Sequence, residues 1–330
     1  MSGALRASGD EQVREALELA LGEVRGEPVA LAELSRRHFA YETSFAIDSL
    51  DVELASGERL ALLVKDVGPA GLSAEAAAAK PADTLNPERE ISVYRDLLEP
   101  AGLSTPRFYG AAVEPELERR WLFLERIEGE VLTDVGELDA WCEAATWAAR
   151  LDAGVPSARQ PEAASPLLRR DAAWHGRRLD AAIHNSSPPL GERLRERRAC
   201  LLERFTALPI AFVHGELYPA NVLVERGGGK GTRIAPVDWE LAGIGPFALD
   251  LAALVSGWSG KDRLAMIRAF QGALPTSLGF TLSDVIEATG LCELSLTLQW
   301  IGWSPGWVPP QPQRRDWGTD AVRLLDEVGL

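Results

Sequence analysis

One stretch, Phe212–Asp250 (FVHGELYPANVLVERGGGKGTRIAPVDWELAGIGPFALD), collects residue types that could transfer a phosphoryl group. It holds a carboxylate, Glu216, then Asn221 five positions on, then a second carboxylate, Asp238, beyond a hairpin-like pattern. Phosphoryl transfer needs a carboxylate beside the attacking hydroxyl and oxygen ligands for Mg²⁺, which prefers carboxylates, amides and water over nitrogen or sulfur. An acid-x4-Asn pair on a loop, with an acid closing the next strand, supplies both. Asp238 follows the apolar run Ile234–Val237, so it emerges from a buried strand and not from a solvated face.

These residues need a scaffold, and the pattern along the chain supplies one in two halves. Asp10 to Val24 predicts an amphipathic helix with Val13, Leu17, Leu21 and Val24 on one stripe. From about Leu34 to Glu125 short β-like runs follow: Phe45–Leu54, Arg59–Val67, Pro106–Val113 and Trp121–Glu125. A helix interrupts them at Asn86–Glu88, where a capping Asn, a Pro and an early acid are start signals. The Ala/Gly/Pro-rich stretch Pro69–Thr84 reads as a flexible loop. Beyond Gly129 the chain turns mainly helical, over Leu138–Ala153, Gly191–Phe205, Phe247–Trp258, Leu264–Ala273, Leu282–Trp300 and Thr319–Glu327. A hairpin, Asn221–Val224 with Arg233–Val237, breaks the helices. Its Gly227–Gly231 link reads as a hairpin tip, not a phosphate loop.

HGELYPANVLV followed by PVDWELAGIGPFALDLA resembles the aminoglycoside phosphotransferase/choline kinase family, whose members share the protein-kinase fold. The family pattern is HGD-x4-N, then a DxE or DFG-like aspartate, then a Gly-Pro…Asp-Leu-Ala run. The resemblance implies an α+β, bilobal protein-kinase-like fold: a small β-rich N-lobe over 28–128, after an N-terminal helix over 1–27, and a larger mainly helical C-lobe over 129–330. It puts Glu216 at the catalytic-base position, Asn221 and Asp238 at the Mg²⁺-ligand positions, and Asp250 at the acid that braces the catalytic loop. His214 then reads as loop scaffold. Glu216 stands where aspartate is usual, one methylene longer. Tyr218 replaces a common histidine, and RLDA (Arg150–Ala153) stands in place of a Leu-His motif.

A kinase-like fold also demands a lysine on an apolar strand, paired with a glutamate on a helix, to hold nucleotide phosphates. Strand alternation places Ala61, Leu63, Lys65 and Val67 on one face. On the following helix Glu90 shares a stripe with Tyr94 and Leu97, whereas Glu88 falls on the wetter side near Ser92 and Arg95. Helical geometry therefore selects Glu90 as the partner of Lys65. By resemblance, backbone groups of Glu125, Arg126 and Ile127 meet the adenine, and Thr43 and Ser44 in AYETSF contact phosphate. Glu240 with Trp300, Trp303 and Trp307 are the candidates for acceptor contacts. The arginine-rich run Leu167–Arg198 reads as a solvated helix face, and His175 as structural or surface.

Composition narrows the function classes. The chain has 330 residues and a formal net charge of −15, which disfavours nucleic acid and anionic membranes as partners and suits a cationic small molecule. Its length suggests two domains or lobes. Cys142, Cys200 and Cys292 lie far apart with no CxxC spacing, which fits a reducing, cytoplasmic setting. The reading is an ATP- and Mg²⁺-dependent phosphotransferase acting on a hydroxyl of a small molecule. The alternatives are a nucleotide-binding pseudokinase and a Ser/Thr kinase of a natural-product precursor peptide.

Overall fold

The computed structural model describes residues 9–39, 44–155, 165–227, 231–303 and 315–330. The chain forms two compact units, Met1–Glu128 and Gly129–Leu330.

The first unit is built on a five-stranded antiparallel sheet in the order β1-β2-β3-β5-β4. Its strands are β1 (Leu31–His38), β2 (Ile47–Leu54), β3 (Arg59–Asp66), β4 (Phe108–Glu114) and β5 (Arg119–Glu125). Helix α1 (Asp10–Arg25) covers one face. Val13, Leu17 and Leu21 pack there against Leu50, Leu62, Val64, Trp121 and Phe123. The stripe differs from expectation at one end: Val24 is half exposed, and Ala16 and Ala20 join the core instead. Small residues let α1 approach closely. At Gly110, with φ 130°, an added Cβ would lie 2.7 Å from the Ala20 carbonyl oxygen.

Strand β1 was not among the expected strands, because in LAELSRRH the polar and charged residues Glu33 and Ser35–His38 interrupt any apolar alternation. It is an edge strand paired on one side only, where charged side chains are tolerated. Pro69–Thr84 is not a flexible loop. It contains the short helix α2 (Ala74–Ala79), capped by Ser73 Oγ, flanked by 3-10 turns at Pro69–Gly71 and Ala82–Thr84. Alanines at α2 favour helix, a preference that the flanking glycines and prolines obscure.

The next helix starts where Asn86 Oδ1 accepts from the Glu88 N–H at 2.9 Å. It runs as α3 (Arg89–Ser92), widens to a π-helix over Val93–Leu98, and closes as α4 (Glu99–Ala101).

The second unit is mainly helical. Its helices are α5 (Leu138–Gly154), α6 (Ala172–Asn185), α7 (Pro188–Ala207), α8 (Leu249–Val255), α9 (Gly260–Ala273), α10 (Leu282–Trp303) and α11 (Trp317–Glu327). Two small sheets support the chemistry-bearing loops. One orders β10 (Thr232–Pro236), β9 (Val222–Arg226) and β6 (Glu130–Val131). The other orders β7 (Leu168–Arg169), β11 (Gly243–Pro246) and β8 (Ile210–Val213). Both hairpin strands β9 and β10 are present in antiparallel register; residues 228–230 of the expected tip lie outside the described residues.

Candidate active site

In the first unit, Lys65 occupies a central strand, opposite Ile47 of β2 and Leu122 of β5. Its face of β3 is less apolar than alternation suggested: Ala61 is exposed and Leu63 half-buried, while Leu60, Leu62 and Val64 face α1. Lys65 is nevertheless buried, because Glu90 reaches it from α3 with Nζ–Oε2 of 2.7 Å. Burying two charges is tolerable when each satisfies the other, and removing either strands its partner. Glu88, on the wetter side as expected, pairs with Arg120 at 2.5 Å. The strand end beyond Lys65 is pinned by Asp66. That carboxylate bonds Arg119 at 2.7 Å and accepts the N–H groups of Gly68 and Arg120, while burial pushes its pKa upward.

The other expected nucleotide contacts divide. Ser44 is described, and its carbonyl accepts the Ser73 N–H at 2.8 Å; Thr43 lies outside the described residues. The N–H groups of Glu125 and Arg126 are already given to the carbonyls of Arg107 and Ala61. Their side chains are also engaged, Glu125 with the Arg107 N–H and Arg126 with Ser49, Asp51 and Glu128. Of the three N–H groups, that of Ile127 makes no hydrogen bond among the described residues.

In the second unit, β8 delivers His214–Gly215–Glu216 into a loop organised by Asp250 at the start of α8. The Asp250 carboxylate accepts the N–H of His214 at 2.7 Å and that of Gly215 at 2.9 Å. Burial pushes Asp250 up in pKa, against the opposing pull of His214 and the two N–H donors. His214 is fully enclosed. Its ring stands 4.4 Å from Trp239, Nε2 meets the Val237 carbonyl at 2.9 Å, and Nδ1 lies 3.3 Å from the Glu216 N–H. With both nitrogens committed to backbone and burial lowering its basicity, His214 is scaffold.

Glu216 itself is buried. Its backbone carbonyl accepts the Asn221 side-chain Nδ2 at 3.0 Å and the Tyr218 N–H at 2.6 Å. Asn221 exchanges further backbone bonds, donating to Tyr218 and accepting from Val237, which ties the loop to the residue before Asp238. Asp238 adopts φ 68°, a left-handed conformation that aspartate tolerates better than most side chains. The donor set fits a hard cation. Asn221 has given its amide nitrogen to the Glu216 carbonyl, which leaves Oδ1 as its side-chain oxygen acceptor, and Asp238 carries a carboxylate; both are oxygen donors of the kind Mg²⁺ accepts. Among the described residues no three His, Cys, Asp or Glu side chains form a metal cage. Mg²⁺ requires none, since it binds through one or two carboxylates together with substrate phosphates and water.

The phosphotransferase enzyme family, APH, matches this chain over residues 54–279. The chain belongs to that family. No curated protein matches it in sequence. Solved structures share the family's fold at low identity. One is the GDP complex of aminoglycoside 2'-phosphotransferase-IIIa, at 14% identity and TM-score 0.55, covering 90% of this chain and 93% of that one. A second is choline kinase from Cryptosporidium parvum, at 14% identity and TM-score 0.57, covering 89% and 88%. A third is choline kinase from Streptococcus pneumoniae, at 14% identity and TM-score 0.54, covering 90% and 94%. At such identity the likeness shows the fold: a β-rich N-terminal unit followed by a mainly helical one.

Within this member of the phosphotransferase family, the sequence reading missed one residue behind the loop. Arg170 is buried, not part of a solvated face. Its Nη2 donates to the Leu241 carbonyl at 2.7 Å, and its Nη1 is buried without a hydrogen-bond partner. Burial lowers it to about 10, opposed by the charges of Asp250 and Glu216. Its guanidinium explains Gly215, where φ is 91° and a Cβ would fall 2.2 Å from Arg170 Nη2. The signal was strand alternation: Leu168 and Arg170 are buried on either side of exposed Arg169.

Arg178 is buried too, 4.0 Å above the Trp174 ring and 6.0 Å from that of Trp303. Trp303 thus has a protein cation on it. Arg169, Arg177, Arg195 and Arg197 do face solvent. Trp300 Nε1 donates to Tyr218 Oη at 2.6 Å, so the tyrosine that replaces histidine links the loop to α10. Glu240 is buried one residue beyond Trp239, and Trp307 lies outside the described residues.

Proposed function

We propose that this protein is an ATP- and Mg²⁺-dependent phosphotransferase that moves the γ-phosphoryl group to a hydroxyl of a small molecule, in a reducing, cytoplasmic setting. The observation that carries the reading is the Asp250-braced loop, which fixes Glu216 and leaves Asn221 Oδ1 as an oxygen ligand. Further support comes from the buried Lys65–Glu90 pair and from relatives crystallised with GDP or described as choline, ethanolamine and aminopropanol kinases. No helix among the described residues is long and apolar enough to cross a membrane.

Lys65, oriented by Glu90, holds nucleotide phosphates, and the Ile127 N–H meets the base. Asn221 Oδ1 and the Asp238 carboxylate are the ligands for Mg²⁺. When bound, that ion supplies neutralisation of the phosphate charge. Glu216 orients the acceptor hydroxyl. As the new O–P bond forms and the bond to the β-phosphate oxygen breaks, Glu216 takes the hydroxyl proton. The protein's part is positioning and charge stabilisation, with no covalent intermediate. We assign the acceptor contacts to Glu240 and Trp300.

The test is nucleoside diphosphate release with a panel of aminoglycosides, sugars and amino alcohols, using ATP and GTP. Turnover with at least one hydroxyl acceptor, abolished in Asp238→Asn, is expected; full activity in that variant would sink the metal assignment. Glu216 in place of aspartate favours one second reading, a nucleotide-binding module without transfer. That reading expects Mg²⁺-dependent binding, no turnover with any acceptor, and no gain in Glu216→Asp.

A further inference from the structure

The loop that carries Glu216 also carries a hydroxyl whose proton the fold does not use. Trp300 Nε1, on α10, meets Tyr218 Oη at 2.6 Å. An indole N–H can only donate, so the phenol oxygen accepts in that contact and its own O–H stays uncommitted. Among the described residues the Tyr218 hydroxyl makes no other hydrogen bond. Neighbouring groups on the loop are engaged: His214 has both ring nitrogens on the backbone, and the Asn221 amide donates to the Glu216 carbonyl.

The phenol is held from both ends. The Tyr218 N–H donates to the Glu216 carbonyl at 2.6 Å, and the Tyr218 carbonyl accepts the Asn221 N–H at 2.8 Å. On the other side, Trp300 stacks on Trp317 with ring centroids 5.8 Å apart and meets Trp303 edge-on at 5.4 Å. Tyr218 is half-buried, where His214 is sealed in the core. Burial first, and the charge of Glu216 second, push the pKa of the phenol upward, which places it within electrostatic reach of that carboxylate.

A donor that loses water without gaining a partner costs free energy, so this hydroxyl favours a molecule that brings an oxygen to it. That oxygen is not the reacting one. The attacking hydroxyl gives its proton to Glu216 and needs a lone pair for phosphorus, and a hydrogen bond donated to it would weaken it as a nucleophile. We infer that Tyr218 is a specificity-determining residue whose hydroxyl donates to a second oxygen of the acceptor, close to the hydroxyl that is phosphorylated. Amino alcohols with a single oxygen then fit poorly. This assignment rests on the phosphotransferase reading above.

The experiment measures kcat and KM by nucleoside diphosphate release, with sugars, polyols and aminoglycosides compared with ethanolamine and choline, which carry one oxygen each. The best acceptor is then compared with its deoxy analogues, in wild type and in Tyr218→Phe, whose folding thermal melts establish. One deoxy analogue should raise the acceptor KM of wild type roughly tenfold, Tyr218→Phe should do the same with the parent compound, and the two losses should not add. The KM for nucleotide should stay at its wild-type value in the variant, which a general loosening of the loop would not allow. The deoxy comparison needs only wild type: a best acceptor none of whose deoxy analogues binds more weakly would overturn the inference even if the variant fails to fold. Ethanolamine or choline used as well as any other compound would overturn it and leave the proposed function intact. So would an unchanged acceptor KM in Tyr218→Phe, or equal weakening of nucleotide and acceptor. Wild-type protein that transfers to none of these acceptors would overturn both.

Discussion

Removing the Asp250 carboxylate should destabilise the second unit by an amount that its hydrogen bonds allow to be worked out. The carboxylate accepts two buried backbone N–H groups, from His214 at 2.7 Å and Gly215 at 2.9 Å. Each buried donor left without an acceptor costs about 1–3 kcal/mol, so Asp250→Ala should lose about 2–6 kcal/mol. Asp250→Asn keeps one acceptor oxygen and turns an NH₂ toward the other donor, so it should lose about 1–3 kcal/mol. Against a total of about 5–15 kcal/mol for a typical domain, the alanine variant should be visibly weakened at room temperature. Urea denaturation followed by tryptophan fluorescence reads both, since Trp239 packs on His214. The required order is wild type, then Asn, then Ala. An alanine variant within about 0.5 kcal/mol of wild type would refute the reasoning, because surface substitutions show changes of that size.

Glu90→Gln should destabilise the first unit by about 3–5 kcal/mol by leaving Lys65 buried without its carboxylate, whereas Lys65→Met with Glu90→Leu should recover most of that stability in urea titrations. Gly215→Ala, which forces a Cβ against Arg170 and the Leu241 carbonyl at φ 91°, should lower stability by roughly 2–5 kcal/mol in the same assay. His175 is buried and its basicity is pushed down to about 4, mainly by burial. Below about pH 6.5 the unfolded histidine takes up a proton that the folded one refuses, so stability falls as pH drops from 6.5 toward 4. The share of the loss due to His175 between pH 7 and pH 5 should be about 2 kcal/mol, and His175→Gln should remove that share while leaving the share of His214, whose basicity burial also lowers. This window lies above the one in which Asp51, Glu58 and Asp180, held low by hydrogen-bonded arginines, take up their protons.

Much of the architecture was legible because long-period patterns dominate it. The stripe of α1, the β-like runs that become β2, β3 and β5 and the long apolar α10 all follow from the order of apolar residues. The Lys65–Glu90 pair was legible for a related reason: helical phase leaves only one acid on the inward side. Short elements were not. Strands β7, β8 and β11 have 2–4 residues, too few for a period, and they owe their existence to pairing across the chain. Arg170 was lost with β7, and the buried arginines then passed for part of an exposed run. The Pro69–Thr84 segment misled for another reason: its glycine serves close packing at Gly71, not freedom.

The most direct test of the central claim is a calorimetric titration of the folded protein with ATP and with GTP, in the presence and absence of Mg²⁺, for wild type and Asp238→Asn. Binding that requires Mg²⁺ and weakens at least tenfold in Asp238→Asn is the predicted result. Nucleotide binding indifferent both to Mg²⁺ and to the Asp238 carboxylate would contradict the account.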